Sequence, residues 1–151
     1  MKVLMVCLGN ICRSPLAEGI LKHKIETDDL DWQVDSAGTS GWHNGERPDP
    51  RSIDVARKNG IDITYQRSRQ FEISDFESFD LILAMDSSNY SNILALDSEN
   101  RYSDKVKLLM NFKFPGENRA VPDPYYTGSF QDVFDMIQDA IEAMLFNYGK
   151  H

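Results

Sequence analysis

The opening of the chain limits its fold more than any other stretch: a dense apolar run over residues 3–8 stops at Gly9 and is soon followed by Ser14-Pro15 and a helix-spaced apolar set. The run is too short for a signal core or a membrane span, and its density in Val and Leu predicts a buried strand over 2–8. Ser14 suits a helix N-cap and Pro15 the first helical position, where a missing N–H costs nothing. Leu16, Ile20, Leu21 and Ile25 then give that helix one apolar face. The connecting segment, "VCLGNICRSP" at residues 6–15, holds both of the chain's 2 cysteines.

The same reading continues along the chain. Further strands are expected over 32–37, 79–85 and 105–109, and helices over 50–59, closed by Gly60, and over 87–96. The last helix is marked by Phe130, Val133, Phe134, Ile137, Ile141, Met144 and Leu145 at helical spacing. Strands that alternate with helices imply an α/β fold, a parallel sheet covered on both faces with ligands bound outside the carboxyl ends of its strands. A length of 151 residues with 41% hydrophobic content fits one domain spanning 1–151. Residues 38–51 and 114–129 are the most irregular stretches and are expected to be functional loops.

A formal net charge of −8 sets nucleic acid and anionic membranes aside as partners. Two cysteines in one turn cannot build a disulfide framework, and neither they nor His23 and His43 have metal-ligand spacing. No metal or cofactor is expected, and the thiols point to a reducing, cytoplasmic setting.

A tight turn between a strand and a helix aims several backbone N–H groups at one point, and the helix N-terminus adds partial positive charge. The turn lacks the Gly-Lys-Ser/Thr ending of a Walker sequence and has a single glycine. Instead Cys7 opens it and Arg13 closes it, followed by Ser14: a sulfur nucleophile, and a planar fork matched to two phosphoryl oxygens. A thiol of ordinary pKa, roughly 8.5, needs about 3 kcal/mol of thiolate stabilisation to attack at neutral pH, more than the roughly 0.3–1 kcal/mol of a helix dipole. Loop N–H groups, Arg13 and the Ser14 hydroxyl must supply the rest. Gly9 and Asn10 are the residues that best tolerate the left-handed backbone such a curl demands.

"VCLGNICRSP" resembles the signature of the low-molecular-weight protein tyrosine phosphatases, and "DSAGTSGWHNGERPDPR", "GIDITYQRSRQ", "FDLILAMDSSN" and "VPDPYY" follow in that family's order. The resemblance implies a flavodoxin-like three-layer sandwich with a four-stranded parallel sheet of order 2-1-3-4. It also implies hydrolysis of phosphotyrosine on proteins through a cysteinyl-phosphate, with inorganic phosphate as product and inhibitor. On that resemblance Cys7 is the nucleophile, Arg13 grips the phosphoryl group and Asp123 is the general acid and base. The phosphate-binding loop is then Leu8, Gly9, Asn10, Ile11, Cys12, Arg13 and Ser14. Trp42, His43, Tyr125 and Tyr126 line the substrate cleft, and Asn10, Ser14, Ser36, Gln66 and Asp86 support the loop.

Read locally, Asp86 is equally a helix N-cap, and Asp123 before Pro124 a turn starter. Gln66 stands where many members carry histidine; it offers one donor and one acceptor, as a neutral imidazole does. Cys12 is expected either to pack beneath the loop or to trap oxidised Cys7 as a disulfide, the switch that the resemblance implies. Arsenate reductases share the loop but need further cysteines downstream, and none follows Cys12. Arginine phosphatases carry threonine where this chain has Ile11. A phosphoprotein-binding module would be expected to lack Cys7, Arg13 or Asp123.

Overall fold

The computed structural model describes residues 1–150. Strands β1 (Lys2–Cys7), β2 (Gln33–Gly38), β3 (Leu81–Ala84) and β4 (Val106–Leu108) form a wholly parallel sheet of order β2-β1-β3-β4. The apolar opening run is explained by the position of β1, which lies inside the sheet with both faces covered. Val3, Met5 and Cys7 enter one core, and Leu4 and Val6 enter the other. β3 repeats the alternation, with Leu81 and Leu83 on the first side and Ile82 and Ala84 on the second.

The first core is closed by α1 (Arg13–Thr27), α2 (Pro50–Lys58) and α6 (Phe130–Asn147). α6 buries Phe130, Val133, Phe134, Ile137, Ala140, Ile141, Met144 and Leu145, the expected stripe with Ala140 added. The second core is closed by the one-turn helix α3 (Asp75–Ser78) and by α4 (Ser87–Ala95), through Phe76 and Ile93. Each such side chain contributes roughly 1.5–3 kcal/mol on burial, so Leu83→Ala in the middle of β3 would cost about 2–5 kcal/mol. The three-layer sandwich is therefore held from both faces of the sheet. Among the described residues no helix is long and apolar enough to cross a membrane.

Several boundaries differ from the sequence expectation for local reasons. The second strand starts at Gln33, because Trp32 turns inward to meet Tyr148 edge-on at 5.7 Å. The fourth shortens to Val106–Leu108: Lys105 lies in a 3-10 turn and its Nζ donates to the Phe76 carbonyl at 2.7 Å. α1 begins at Arg13 with Cys12 in the capping position and no side-chain cap. Ser14 is thus not the N-cap, since its hydroxyl is drawn under the loop. Pro15 still falls in the first turn, where no intrahelical N–H is needed. The helices α3 and α5 (Pro124–Thr127) carry too few residues to show periodicity in a sequence.

β2 lies on one side of β1 and β3 on the other, so the connections leave the carboxyl end of β1 in opposite directions. A crevice opens there, and residues 8–12 sit at its floor.

Candidate active site

The loop is shaped by where its carbonyls go. Those of Cys7, Leu8 and Ile11 accept from the backbone N–H groups of Thr39, Ser40 and Asp49 at 2.9, 2.9 and 2.8 Å. All three acceptances tie the loop outward, to the segments after β2 and before α2. A planar trans peptide points its N–H opposite to its C=O, so the amides of Leu8, Gly9 and Cys12 turn inward. They form a concave nest of donors around Cys7 at the N-terminus of α1.

Asn10 takes the left-handed conformation, with φ of 57°. Gly9 does not; its lack of a Cβ matters because one would stand 3.1 Å from the His43 ring. Gly38, at the end of β2, admits the loop from behind, where a Cβ would lie 2.7 Å from the Leu8 carbonyl oxygen and 3.1 Å from the Asn10 nitrogen.

Asn10 is buried and holds the curl from inside. Its Nδ2 donates to Ser14 Oγ at 2.8 Å and to Ser36 Oγ at 3.0 Å, and its Oδ1 accepts from the Arg69 backbone N–H at 3.0 Å. Ser14 Oγ in turn lies 3.0 Å from Cys7 Sγ. Because Asn10 donates to Ser14, the hydroxyl hydrogen of Ser14 is left for the sulfur at 3.0 Å or for the Ala37 carbonyl at 3.5 Å, the sulfur being the nearer. Ser14 gives up capping α1 for this contact.

Arg13 is 3% exposed and its guanidinium is fixed along one side. Nη1 donates to Asp86 Oδ2 at 2.7 Å and to the Val121 carbonyl at 3.0 Å, while Nη2 stands 3.6 Å from Asp123 Oδ2. Nε is buried and bonds no protein atom, so the Nε–Nη2 edge is the one suited to grip an oxyanion. Burial works against the charge, but Cys7, Asp86 and Asp123 outweigh it and hold the guanidinium above its ordinary pKa. Asp86 serves both readings left open by the sequence: Oδ2 orients Arg13, and Oδ1 caps α4 by accepting from Asn89 N–H at 2.7 Å. Asp123 is likewise both the N-cap of α5, accepting from Tyr125 N–H at 3.1 Å, and the carboxylate facing Arg13.

Above the sulfur lies a cleft of about 220 Å³. Cys7, Leu8, Gly9, Ile11, Cys12 and Arg13 form its floor, Trp42 and His43 one wall, and Asp123, Tyr125 and Tyr126 the other. A larger groove of about 720 Å³ runs beside β4, but its lining contains no cysteine, histidine or carboxylate. A family model described as low molecular weight phosphotyrosine protein phosphatase matches residues 2–151. The chain belongs to this family.

A low molecular weight phosphotyrosine protein phosphatase from Schizosaccharomyces pombe is 44% identical over 95% of this chain and 94% of its own length. The crystal structure of a protein tyrosine phosphatase from Entamoeba histolytica matches with a TM-score of 0.90 at 38% identity, covering 99% of this chain and 97% of that one. That of a Drosophila arginine phosphatase matches with a TM-score of 0.90 at 36% identity, covering 98% of each.

Within this low-molecular-weight phosphatase the expected residues meet, with one rearrangement. Gln66 makes no hydrogen bond to Asn10 or Ser14. Its Nε2 donates to the Pro15 carbonyl at 3.0 Å and reaches the Tyr65 hydroxyl at 3.4 Å, bracing the first turn of α1 from outside the loop. The place beneath Ser36 is taken by Glu18, whose Oε1 accepts from Ser36 Oγ at 2.7 Å and whose Oε2 accepts from the Tyr65 hydroxyl at 2.9 Å. Neither residue is marked in the sequence: Glu18 is one acidic residue within a helix.

The Trp42–His43 wall has similar hidden support, with His43 Nδ1 paired to Glu46 and its carbonyl accepting from Ser68 Oγ. The Arg51 guanidinium, clamped by Asp49, lies 5.5 Å from the Tyr125 ring centroid. Trp42 and Tyr126, each 78% exposed, form the rim of the cleft.

Proposed function

We propose that this chain hydrolyses phosphotyrosine on proteins, and small aryl phosphates, in two displacements at Cys7. The observation that carries the reading is the meeting of three groups from distant parts of the chain at one cleft: Cys7 Sγ with a hydroxyl donor at 3.0 Å, the anchored Arg13 fork, and Asp123 3.6 Å from that fork. In the first step the Cys7 thiolate attacks phosphorus, the bond to the phenolic oxygen breaks, and protonated Asp123 gives its proton to the leaving phenolate. In the second, Asp123 takes a proton from water, the water oxygen attacks phosphorus, and the sulfur–phosphorus bond breaks to return the thiolate and release inorganic phosphate. Inward N–H groups and the Nε–Nη2 edge of Arg13 hold the oxygens in both steps. The product fits the same cradle and so inhibits.

The ordinary alternative for Cys7, a packed structural thiol, leaves the Arg13 edge and the inward amides without a purpose. Burial, then Asp49, pushes the Cys12 thiol up to about 12, so Cys12 is no rival nucleophile. A reduced Cys7 is required throughout, which supports a reducing, cytoplasmic setting.

The similar Drosophila arginine phosphatase raises phosphoarginine as a second substrate. Ile11 in the floor and the aromatic rim formed by Trp42, Tyr125 and Tyr126 favour an aryl ester. Purified protein is to be assayed against phosphotyrosine, phosphoserine and phosphoarginine peptides. Phosphotyrosine should turn over fastest and Cys7→Ser should abolish it; a preference for phosphoarginine, or turnover in Cys7→Ser, would refute the assignment.

A further inference from the structure

We propose that the groove beside β4 is a second ligand site, suited to a small planar aromatic acid, and that its occupancy is felt at Arg13. The link to Arg13 rests on the reading of that residue as the grip on phosphate; the site itself rests on the groove alone.

β4 is an edge strand, with β3 on one side and no further strand on the other. Val106 and Leu108 turn into the second core, so Lys107 points from the opposite face. The groove straddles this edge and is walled by rings that pack against both cores. Phe112 and Tyr148 lie against the first, with centroids 6.1 Å apart, and Tyr90 against the second. A volume of about 720 Å³ suits a small organic molecule, and the rings offer the flat apolar contact that a planar aromatic body prefers.

Charge decides what kind of molecule fits. The chain carries a formal net charge of −8, yet among the described residues that line this groove Lys107 alone is charged. Among the described residues it makes no ion pair, whereas Lys24 is paired with Glu142. The Ser87 hydroxyl, the Asn147 amide and the hydroxyls of Tyr90 and Tyr148 likewise have no hydrogen-bond partner among the described residues. A carboxylate therefore finds a cation and neutral donors here with no acidic side chain against it, and a cation finds only repulsion.

The groove also borders both segments that aim Arg13. Nη1 is held by Asp86 Oδ2 at 2.7 Å and by the Val121 carbonyl at 3.0 Å. Asp86 caps α4, whose start supplies Ser87 and Tyr90 to the groove, and the Tyr90 N–H donates to the Asp86 carbonyl at 3.0 Å. Shortly before Val121, Asn118 closes the opposite bank: its N–H donates to Asn111 Oδ1 at 2.9 Å, and its Oδ1 accepts from Asn111 Nδ2 at 3.0 Å. A molecule lodged between these banks holds them in the arrangement in which both acceptors meet Nη1. Occupancy of the groove then favours phosphate at Arg13, and phosphate favours occupancy by the same factor.

The test titrates the full chain at neutral pH with three molecules that share a phenol ring and differ in charge: anionic 4-hydroxyphenylacetate, neutral 2-(4-hydroxyphenyl)ethanol and cationic tyramine. Saturating inorganic phosphate keeps them out of the Cys7 cleft, and ¹H–¹⁵N NMR locates them. The acid should shift the amides of Lys107, Phe112 and Tyr148 and bind about fivefold tighter than the alcohol. Against tyramine the margin should be about tenfold. Lys107→Gln, on the exposed face of the edge strand, should bring the acid down to the affinity of the alcohol. In phosphate titrations of the wild type, saturating acid should tighten phosphate binding about fivefold, and saturating phosphate should tighten the acid equally. No shifts, shifts confined to Trp42, His43 and Tyr125, equal affinity for the three molecules, or unchanged affinity for the acid in Lys107→Gln would overturn the site. Phosphate affinity that stays level or falls with the acid bound would overturn the link to Arg13. None of these measurements requires turnover, so a chain that cleaves no phosphate ester would refute the phosphatase reading and leave the result at the groove standing.

Discussion

Asp86 gives each carboxylate oxygen to a different donor, which makes its substitution unusually informative. Oδ1 caps α4 at 2.7 Å and Oδ2 takes Arg13 Nη1 at 2.7 Å. An asparagine has one acceptor oxygen and so cannot serve both. The guanidinium, 4% exposed on its side chain, is the more demanding partner, because a charge-assisted bond is worth roughly 1.5–3 kcal/mol against about 1 kcal/mol for a cap. In Asp86→Asn the oxygen therefore turns to Arg13 and the cap is lost. Stability in urea should fall by about 1 kcal/mol. The pair keeps its hydrogen bond but not its ionic part, so kcat/KM should fall about tenfold, the equivalent of about 1.4 kcal/mol.

Asp86→Ala removes both contacts, and the 23% exposure of the carboxylate side chain lets water replace part of what Arg13 loses. Stability should fall by a similar amount, and kcat/KM by roughly 30- to 100-fold. The assay is steady-state hydrolysis of p-nitrophenyl phosphate beside urea unfolding of the same preparations. Wild-type kcat/KM in Asp86→Asn would refute the orienting role. Wild-type stability with the full activity loss of Asp86→Ala would show that the amide kept the cap and turned its NH₂ toward Arg13.

Four further outcomes follow from the geometry. Asp123→Asn should slow phosphotyrosine by roughly 10²–10⁴ and p-nitrophenyl phosphate far less, since general acid help matters most for a poor leaving group; equal slowing would contradict the acid role. Mild peroxide should inactivate the enzyme, phosphate should protect it and thiol reductant should restore it, with much less recovery in Cys12→Ser. Because the Cys12 thiol is pushed up to about 12, trapping should quicken as pH rises; recovery independent of both pH and Cys12 would remove the disulfide switch. Gly38→Ala places a methyl group against the Leu8 carbonyl and should cost about 1–3 kcal/mol and most of the activity; an unchanged kcat would show that the loop yields. Glu18, with its folded pKa raised above an unfolded value of roughly 4.3, binds its proton more tightly in the native state, so its contribution to stability is greatest below that value and declines as pH rises through the raised one. The urea midpoint of wild type relative to Glu18→Gln should therefore improve as pH falls from neutral toward 4, and a difference independent of pH would contradict this.

The sequence by itself determined the layered architecture and the floor of the site. β1 and β3 are legible because strands buried on both faces are apolar throughout, and α6 because its stripe recurs at helical spacing. The floor of the site is legible because Cys7, Asn10, Arg13 and Ser14 are neighbours along one turn, where spacing in the chain is spacing in the molecule. Asp86, Asp123 and the aromatic rim are marked only by resemblance, since each has an ordinary local use, and in the structure both aspartates retain that use as caps. Only the tertiary structure decided that Ser14 leaves its cap for the sulfur, that Gly38 admits the loop, that Gln66 braces α1, and that Glu18 and Tyr65 lie beneath Ser36. These contacts join residues brought together by the crossing of β1, β2 and the segment before α3. A hydrogen bond between segments leaves no period in either of them, so chemistry that depends on direction becomes visible only once the chain has closed.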